Sequence, residues 1–265
     1  MTLRALDQLA SADLIACEDT RVTAKLLAAH GISRPLAAYH EHNARRMGPV
    51  LIERLRRGER IALVSDAGTP LVSDPGLDLV RAAQAEGLPV TIAPGASAPI
   101  AALALSGLPT ERFLFAGFLP ATSGDRRRAL AELSQVQATL ILFEAPHRLP
   151  QSLRDMVTVL GDREAAVARE LTKLHEEVRR GRLGSLAEDY AVAGPPRGEV
   201  VIVVAPPESA AGAGEGADPA ALDEALSQAM KTLSLRDAAA AVAAATGASR
   251  REVYRRALAL LGKQT

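Results

Sequence analysis

Cysteine, tryptophan and aromatic side chains in general are what this 265-residue chain has least of: one cysteine, no tryptophan and an aromatic share of 3%. A lone Cys17 excludes an intramolecular disulfide framework and a cysteine-rich zinc cage, and it suits a reducing cytosol. Net charge is missing as well. The 31 basic side chains balance 31 acidic ones, so no global field advertises a polyanion partner and local patches have to be judged one by one. No apolar stretch approaches the roughly 20 residues that span a bilayer. The longest loose candidate, 99 to 109, is broken by Ser, Gly and two prolines. The opening MTLRALDQLASADL runs charge through its apolar positions and holds no signal-peptide core. The expectation is a cytoplasmic protein without a membrane partner.

What is present is aliphatic. Hydrophobic residues make up 48% of the chain, chiefly Ala, Leu and Val, and the length suffices for two modest domains or one large one. Leu3, Leu6, Leu9 and Ala10 recur at helical spacing, and Leu14 to Cys17 reads as a short strand. Ile61 to Val64 and Val90 to Ala93 read as strands, Asp78 to Glu86 and Ala98 to Leu105 as helices. This alternation argues for a parallel sheet covered on both faces. From Phe113 a second α/β unit follows, with strand-like runs near 115, 142, 167 and 202, helices over 125–134 and 149–159, and a charged stretch over 173–189. The domain cuts fall at 1–111, 112–206, a linker over 207–220 and a tail over 221–265. The linker is rich in Pro, Gly and Ala, and its GAGEG follows no strand, which removes it as a nucleotide fingerprint. The tail reads as two short helices joined by TGAS, with Ser249 as a cap. It is basic, since Arg250, Arg251, Arg255, Arg256 and Lys263 face only Glu252 between 245 and 265.

Polar clusters follow the strands. In ALVSDAGTPLVSDPGLDLV, residues 62–80, a strand breaks into a Gly-rich turn, with Asp66, Ala67, Gly68, Thr69 and Pro70 at the place where open sheets bind ligands. A plain surface turn is an equal reading of that stretch alone. The strand at 90–93 runs into PGASAPIAALALSG, where Ser97 is placed to cap a helix that tolerates Pro99 in its first turn. Glu18, Asp19, Thr20 and Arg21 come directly off the first strand; they either cap the next helix or bind a substrate phosphate or hydroxyl. TLILFEAPHRL ends a strand with Glu144, His147 and Arg148, and Arg169, Glu170, Thr172 and Lys173 end another. HEE at 175–177 is not a zinc motif, because Arg179 stands where HExxH needs His. Polar clusters at strand ends in both units point to an interdomain cleft.

CEDTRVTAKLL, YHEHN, LVSDAGTPLVSDPG, PGASAPIAALALSGLP, FLFAGFLP, FEAPHRL and RELTKLHEE, in this order and spacing, resemble the ribosomal RNA small subunit methyltransferase I group of the tetrapyrrole-methylase superfamily. The likeness covers nearly the whole chain. It implies two α/β domains of the tetrapyrrole methylase type with an S-adenosylmethionine cleft between them, plus a small C-terminal helical module. It further implies a homodimer that methylates the ribose 2′-hydroxyl of a cytidine in the decoding region of small-subunit ribosomal RNA, or of the 30S subunit. By motif, Asp66, Ala67, Gly68, Thr69, Pro70 and Val72 would line one side of the cofactor, Ser97 and Ala98 its other end, and Glu144 would reach it from the second domain. No phosphate loop is needed, because the cofactor carries no phosphates. One departure stands out. The family pattern places a strand and a turn of the type LYVVATPIGNLGD before the opening helix, whereas Met1-Thr2-Leu3 starts inside or after it, through a late start assignment or a truncation. A first sheet with two unpaired internal edges is the expectation.

Methyl transfer from a sulfonium is an in-line displacement that needs no metal; the protein fixes geometry and helps remove a proton from the attacking hydroxyl. Asp19, Glu144 and His147 are the candidates for that proton. Arg21, Arg148, Lys173, Arg250, Arg251 and Arg255 are the candidates for RNA phosphates. Two other readings stay open: a superfamily methyltransferase with a tetrapyrrole or another small acceptor, which has no obvious need of the Arg-rich tail, and a non-catalytic RNA- or ribosome-binding remnant.

Overall fold

A computed structural model describes residues 1–207, 219–246 and 250–261. The first unit is a three-stranded parallel sheet, β1 (Leu14–Cys17), β2 (Leu36–Ala38) and β3 (Ile61–Val64), in the order β2-β1-β3. Side chains alternate along β1 because a strand has a period of two. Leu14 and Ala16 pack with Tyr39, Leu51, Ile52 and Leu79 toward helices α3 (Ala44–Arg56) and α4 (Leu77–Ala85). Ile15 packs on the other face with Leu9 and Leu27, from α1 (Leu3–Ser11) and α2 (Thr20–Ala29). With both faces covered, β1 is apolar throughout and fully buried.

Val90–Ala93, expected as a strand, has no ladder pairing. A strand needs a neighbour, and β3 pairs on one side only, with β1. Val90 and Ile92 are consequently exposed. Two unpaired internal edges were the expectation; β2, β1 and β3 pair continuously, and β3 has no second neighbour among the described strands.

The second unit is a five-stranded sheet of β4 (Phe113–Phe118), β5 (Thr139–Glu144), β6 (Glu164–Arg169), β7 (Glu177–Arg182) and β8 (Val200–Val204), in the order β4-β5-β8-β6-β7. β4 and β5 run parallel, while β8 is antiparallel to both of its neighbours, so β4, β5 and β6 all end at one edge. Leu140, Leu142, Val167, Ile202 and Val204 face α6 (Ser123–Leu133), α7 (Leu149–Leu160) and α8 (Leu183–Ala193). Ile141, Ala166, Ala168, Val201 and Val203 face α5 (Ala98–Ser106) through Ala102 and Leu103. Each fully buried Leu, Ile or Val contributes about 1.5–3 kcal/mol. Although α5 precedes the boundary expected near 111, it packs on the second sheet, and the Arg180 guanidinium donates to the Leu105 carbonyl at its end.

The charged stretch 173–189 resolves into β7 and α8. Among its described residues the tail holds three helices, α9 (Pro219–Ala229), α10 (Leu235–Thr246) and α11 (Arg250–Leu261), around their own core of Leu222, Leu226, Val242 and Val253. Helix α9 starts two residues inside the expected linker; 208–218, Ser249 and Lys263 lie outside the described residues. No helix among the described residues is long and apolar enough to cross a membrane.

One buried ionic group ties α6 to α7. The Asp155 carboxylate, wholly buried, takes hydrogen bonds from Arg126 (2.8 Å), Arg127 (2.7 Å) and Ser123 (3.0 Å), and Arg126 also donates to the Ala121 carbonyl. Burial pushes this carboxyl up, but the bonds from Arg127, Arg126 and Ser123 outweigh it, and the pKa falls below the ordinary carboxylate range. Asp155→Ala strands Arg126 without its partner and is expected to cost about 3–5 kcal/mol in urea unfolding. Because the folded pKa is depressed, the native contribution is fully present above the unfolded value of ~3.9 and is lost as pH falls through the folded one. The difference between the wild type and the variant should therefore narrow below about pH 4; a constant difference down to pH 2 would contradict the ionic account.

Candidate active site

Three loops leave the carboxyl ends of parallel β1, β2 and β3 side by side. They are Glu18–Arg21, Tyr39–Asn43 and Ser65–Gly76. Asp19 caps α2, its carboxylate accepting from the Arg21 amide at 2.8 Å. The Asn43 side chain ties the second loop, accepting from the His40 amide and donating to the Ala38 carbonyl, both at 2.9 Å. The Asp19 amide donates to Asp66 across the edge at 3.4 Å. Glu18, Asp19, Arg21, His40, His42 and Asp66 line a cavity of about 530 Å³ there.

The Ser65–Gly76 loop holds an unusual backbone. Leu71 and Ser73 have φ of 74° and 65°, in the left-handed region that costs side-chain-bearing residues about 1–3 kcal/mol each. At Gly76 only glycine fits, since φ is 136° and a Cβ would lie 2.6 Å from Leu63 Cδ2. Thr69 Oγ1 donates to the Ala96 carbonyl at 3.2 Å and so joins this loop to the start of α5. Of the expected cofactor residues Asp66, Ala67, Gly68, Thr69, Pro70 and Val72, Thr69 is thereby held next to the segment that leads into Ser97 and Ala98. Ser97 is the N-cap of α5, though its hydroxyl makes no capping bond.

The second sheet meets this loop. In β4 the register slips between Phe115 and Phe118, and Gly117 takes φ of 68°. This bulge brings the strand close to Ser73, whose hydroxyl oxygen would lie 3.6 Å from a Cβ at Gly117. At the same carboxyl edge of the second sheet lie Ala145–Arg148, after β5, and Glu170–Glu176, after β6. Glu144 is buried, and its carboxylate accepts from Ser152 Oγ (2.5 Å), Arg148 Nη2 (2.7 Å) and the Ala145 amide (2.7 Å). It holds the turn that displays His147, which is exposed. Lys173 donates to Glu170 (3.0 Å) and Glu199 (2.9 Å), bracing a loop in which Glu170 and Thr172 also have positive φ.

Three of the cations expected to hold RNA phosphates are thus paired inside the protein: Arg21 with Asp19, Arg148 with Glu144, and Lys173 with two glutamates. Arg255 is exposed on α11; the side chains of Arg250 and Arg251 lie outside the described residues. Hydrogen bonds from the Arg21 side chain and amide bring Asp19 down to about 2. Glu18 next to it moves the other way, raised by desolvation and by the negative charges of Asp66 and Asp74. Asp74 is raised by burial in the same cluster. Sequence reasoning left His40 and His42 without a role. Their available signal was their place directly after an apolar run at 36–38 that is too short to read as a strand.

Ala67, Gly68 and Ala98 are small, a Cβ at Gly68 would meet nothing within 4 Å, and Glu18 and Asp66 line the neighbouring cavity, where they favour a cation. This donor set fits a sulfonium nucleoside such as S-adenosylmethionine. Residues 1–187 match the family model described as tetrapyrrole (corrin/porphyrin) methylases, and residues 216–261 match the RsmI C-terminal HTH domain. A ribosomal RNA small subunit methyltransferase I from Mesorhizobium japonicum is 51% identical over 261 residues, covering 98% of this chain and 87% of that protein. One from Pseudomonas aeruginosa is 46% identical over 265 residues, covering 98% and 92%. Among solved structures, diphthine synthase superposes with a TM-score of 0.56 at 20% identity, over 77% of this chain and 84% of that one. The methyltransferase CobJ does so at 0.57 and 19%, over 78% and 88%. These two establish likeness of fold.

The ion pair at the first loop makes a direct test of the electrostatics. Arg21→Ala is expected to let Asp19 titrate upward from about 2 toward the ~3.9 of a free aspartate, as read by NMR of the side-chain carboxyl. An unmoved midpoint would mean that another group holds it down.

Proposed function

Because the chain belongs to the tetrapyrrole methylases, and within them to the ribosomal RNA small subunit methyltransferase I group, we propose that it transfers the methyl group of S-adenosylmethionine to the ribose 2′-hydroxyl of a cytidine in the decoding region of small-subunit ribosomal RNA. The observation that carries this reading is identity of 51% over 98% of the chain to a relative of that name. The match of 216–261 to a helix-turn-helix domain favours a nucleic-acid acceptor over a tetrapyrrole. The cytoplasm and a homodimer belong to the same proposal; exposed Phe113, Leu114 and Phe118 along β4 offer apolar surface for a second copy.

S-adenosylmethionine, when bound, supplies the electrophilic methyl group. The chain's part is to orient and to move a proton. Ala67, Gly68, Thr69 and Val72 from one side and Ser97 and Ala98 from the other hold the cofactor, and the Thr69–Ala96 bond keeps the two sides together. Correct placement of reacting groups is worth about 7–11 kcal/mol of barrier. Of the three candidates for the proton, Asp19 is engaged by Arg21 and Glu144 by three donors. His147 is exposed on the turn that Glu144 and Arg148 hold, and it takes the hydroxyl proton.

The test is incubation with unmethylated 30S subunits and S-adenosylmethionine, followed by mass spectrometry of the ribosomal RNA. Absence of a 2′-O-methylcytidine would sink the reading. His147→Ala is expected to lower kcat by about 10²-fold or more while calorimetry shows unchanged cofactor affinity. Removing 219–265, which forms its own core, is expected to weaken 30S binding and to flatten its dependence on salt.

A further inference from the structure

The cavity at the ends of β1 and β2 has a charge pattern that the cofactor does not use up. Among the described residues, Arg21 is the only arginine or lysine in its lining, and that guanidinium is closed onto Asp19. Glu18 and Asp66 remain, with His40 and His42 opposite, the two imidazoles edge to face at 6.0 Å. Nδ1 of His40 is buried without a partner. A net negative wall of this kind repels phosphate and suits hydroxyl groups, which donate to carboxylates.

The adjoining rim has the opposite character. Helix α3 begins at Ala44, one residue after the loop that carries His40 and His42, and Arg45 and Arg46 occupy its first turn. Both are exposed, and neither side chain bonds to any described residue. Further along the same helix and just beyond it the arginines are paired: Arg54 with Glu59, Arg56 with Glu86, Arg57 with Glu53. The first turn holds no acid. Two unpaired cations there oppose the positive end of the helix dipole. Such a local conflict without compensation inside the fold marks a functional position. An anion seated beside the first turn would resolve it through the two guanidinium groups, since the amides of Asn43, Ala44 and Arg46 already donate to backbone carbonyls.

We propose that the cavity and this rim form one ribonucleotide subsite, in which Glu18 accepts hydrogen bonds from sugar hydroxyls and Arg45 and Arg46 hold the adjoining phosphate. The proposal rests on the ribosomal RNA reading above and adds the surface on which that RNA lies. Asp66, shared with the cofactor loop, places the subsite next to the methyl donor. The same arrangement distinguishes RNA from DNA, because only RNA offers the 2′-hydroxyl to the acidic wall.

The experiment compares wild type, the double variant Arg45→Gln/Arg46→Gln, and Glu18→Gln. Binding of a single-stranded oligoribonucleotide and of the deoxy oligonucleotide of the same sequence is followed by fluorescence polarisation over a range of salt. Methylation of 30S subunits and calorimetry with S-adenosylmethionine run in parallel. The double variant is expected to bind both oligonucleotides more weakly, with the log–log salt slope reduced by about 0.7 for each phosphate that is no longer neutralised. Its KM for 30S should rise roughly tenfold at unchanged cofactor affinity, and its melting temperature should be unchanged or higher, since it relieves the helix dipole. Glu18→Gln is expected to lose the preference for RNA over DNA. An unchanged salt slope and KM in the double variant overturn the rim. Weakened cofactor binding by Glu18→Gln, with the RNA preference intact, assigns the cavity to the cofactor and overturns the subsite. Failure of the wild type to methylate 30S defeats the functional reading alone, since oligonucleotide binding still reports on the subsite.

Discussion

Parallel pairing of β1 with both β2 and β3 forces the chain to cross back through a helix each time, and each crossover leaves its next loop at the same carboxyl edge. That constraint gathers Glu18, His40 and Asp66, which are far apart in sequence, around one cavity. The second sheet repeats the device with β4, β5 and β6, even though β8 runs the other way between two of them. The polar groups of the site are thus supplied by loops, and the strands at the middle of the two sheets, β1 and β8, are fully buried.

The loops themselves are costly. Leu71, Ser73, Glu170 and Thr172 all sit in the left-handed region, and ordered polar groups brace them: Thr69 to Ala96, Lys173 to Glu170 and Glu199, and the Thr172 amide to Glu176. Strain of this kind persists where the surroundings over-determine the backbone. The electrostatics follow the same division. Paired acids such as Asp19 stay ionised, while Glu18 and Asp74, desolvated and next to the charge of Asp66, are pushed up.

Much of this was legible in the sequence where the signal is local. Apolar runs gave β1, β3, β4, β5, β6 and β8, and Asp19 was readable as a cap. Val90–Ala93 has the same composition as a strand but has no neighbour to pair with, and pairing is a property of the fold. EVRRGR was missed as β7 because an edge strand tolerates charge, and α3 because Pro49, Gly48 and its arginines obscure the helical period. At the site, sequence order picked out the loops that the fold gathers at one carboxyl edge. It did not reveal which cations are spent internally, since the ion pair of Arg148 with Glu144 and those of Lys173 with Glu170 and Glu199 depend on side-chain direction.

Helix α5 follows the first sheet in the chain yet shields one face of the second, with Ala102 and Leu103 seated on Ile141, Ala166 and Val203 and its Leu105 carbonyl held by Arg180. It acts as a rivet driven through both halves. Its first turn meets the Thr69 loop, and its body belongs to the opposite lobe. The two lobes are consequently not interchangeable parts: a cut between them strips one of its cover and the other of its grip, so recombination at that joint would yield neither half intact.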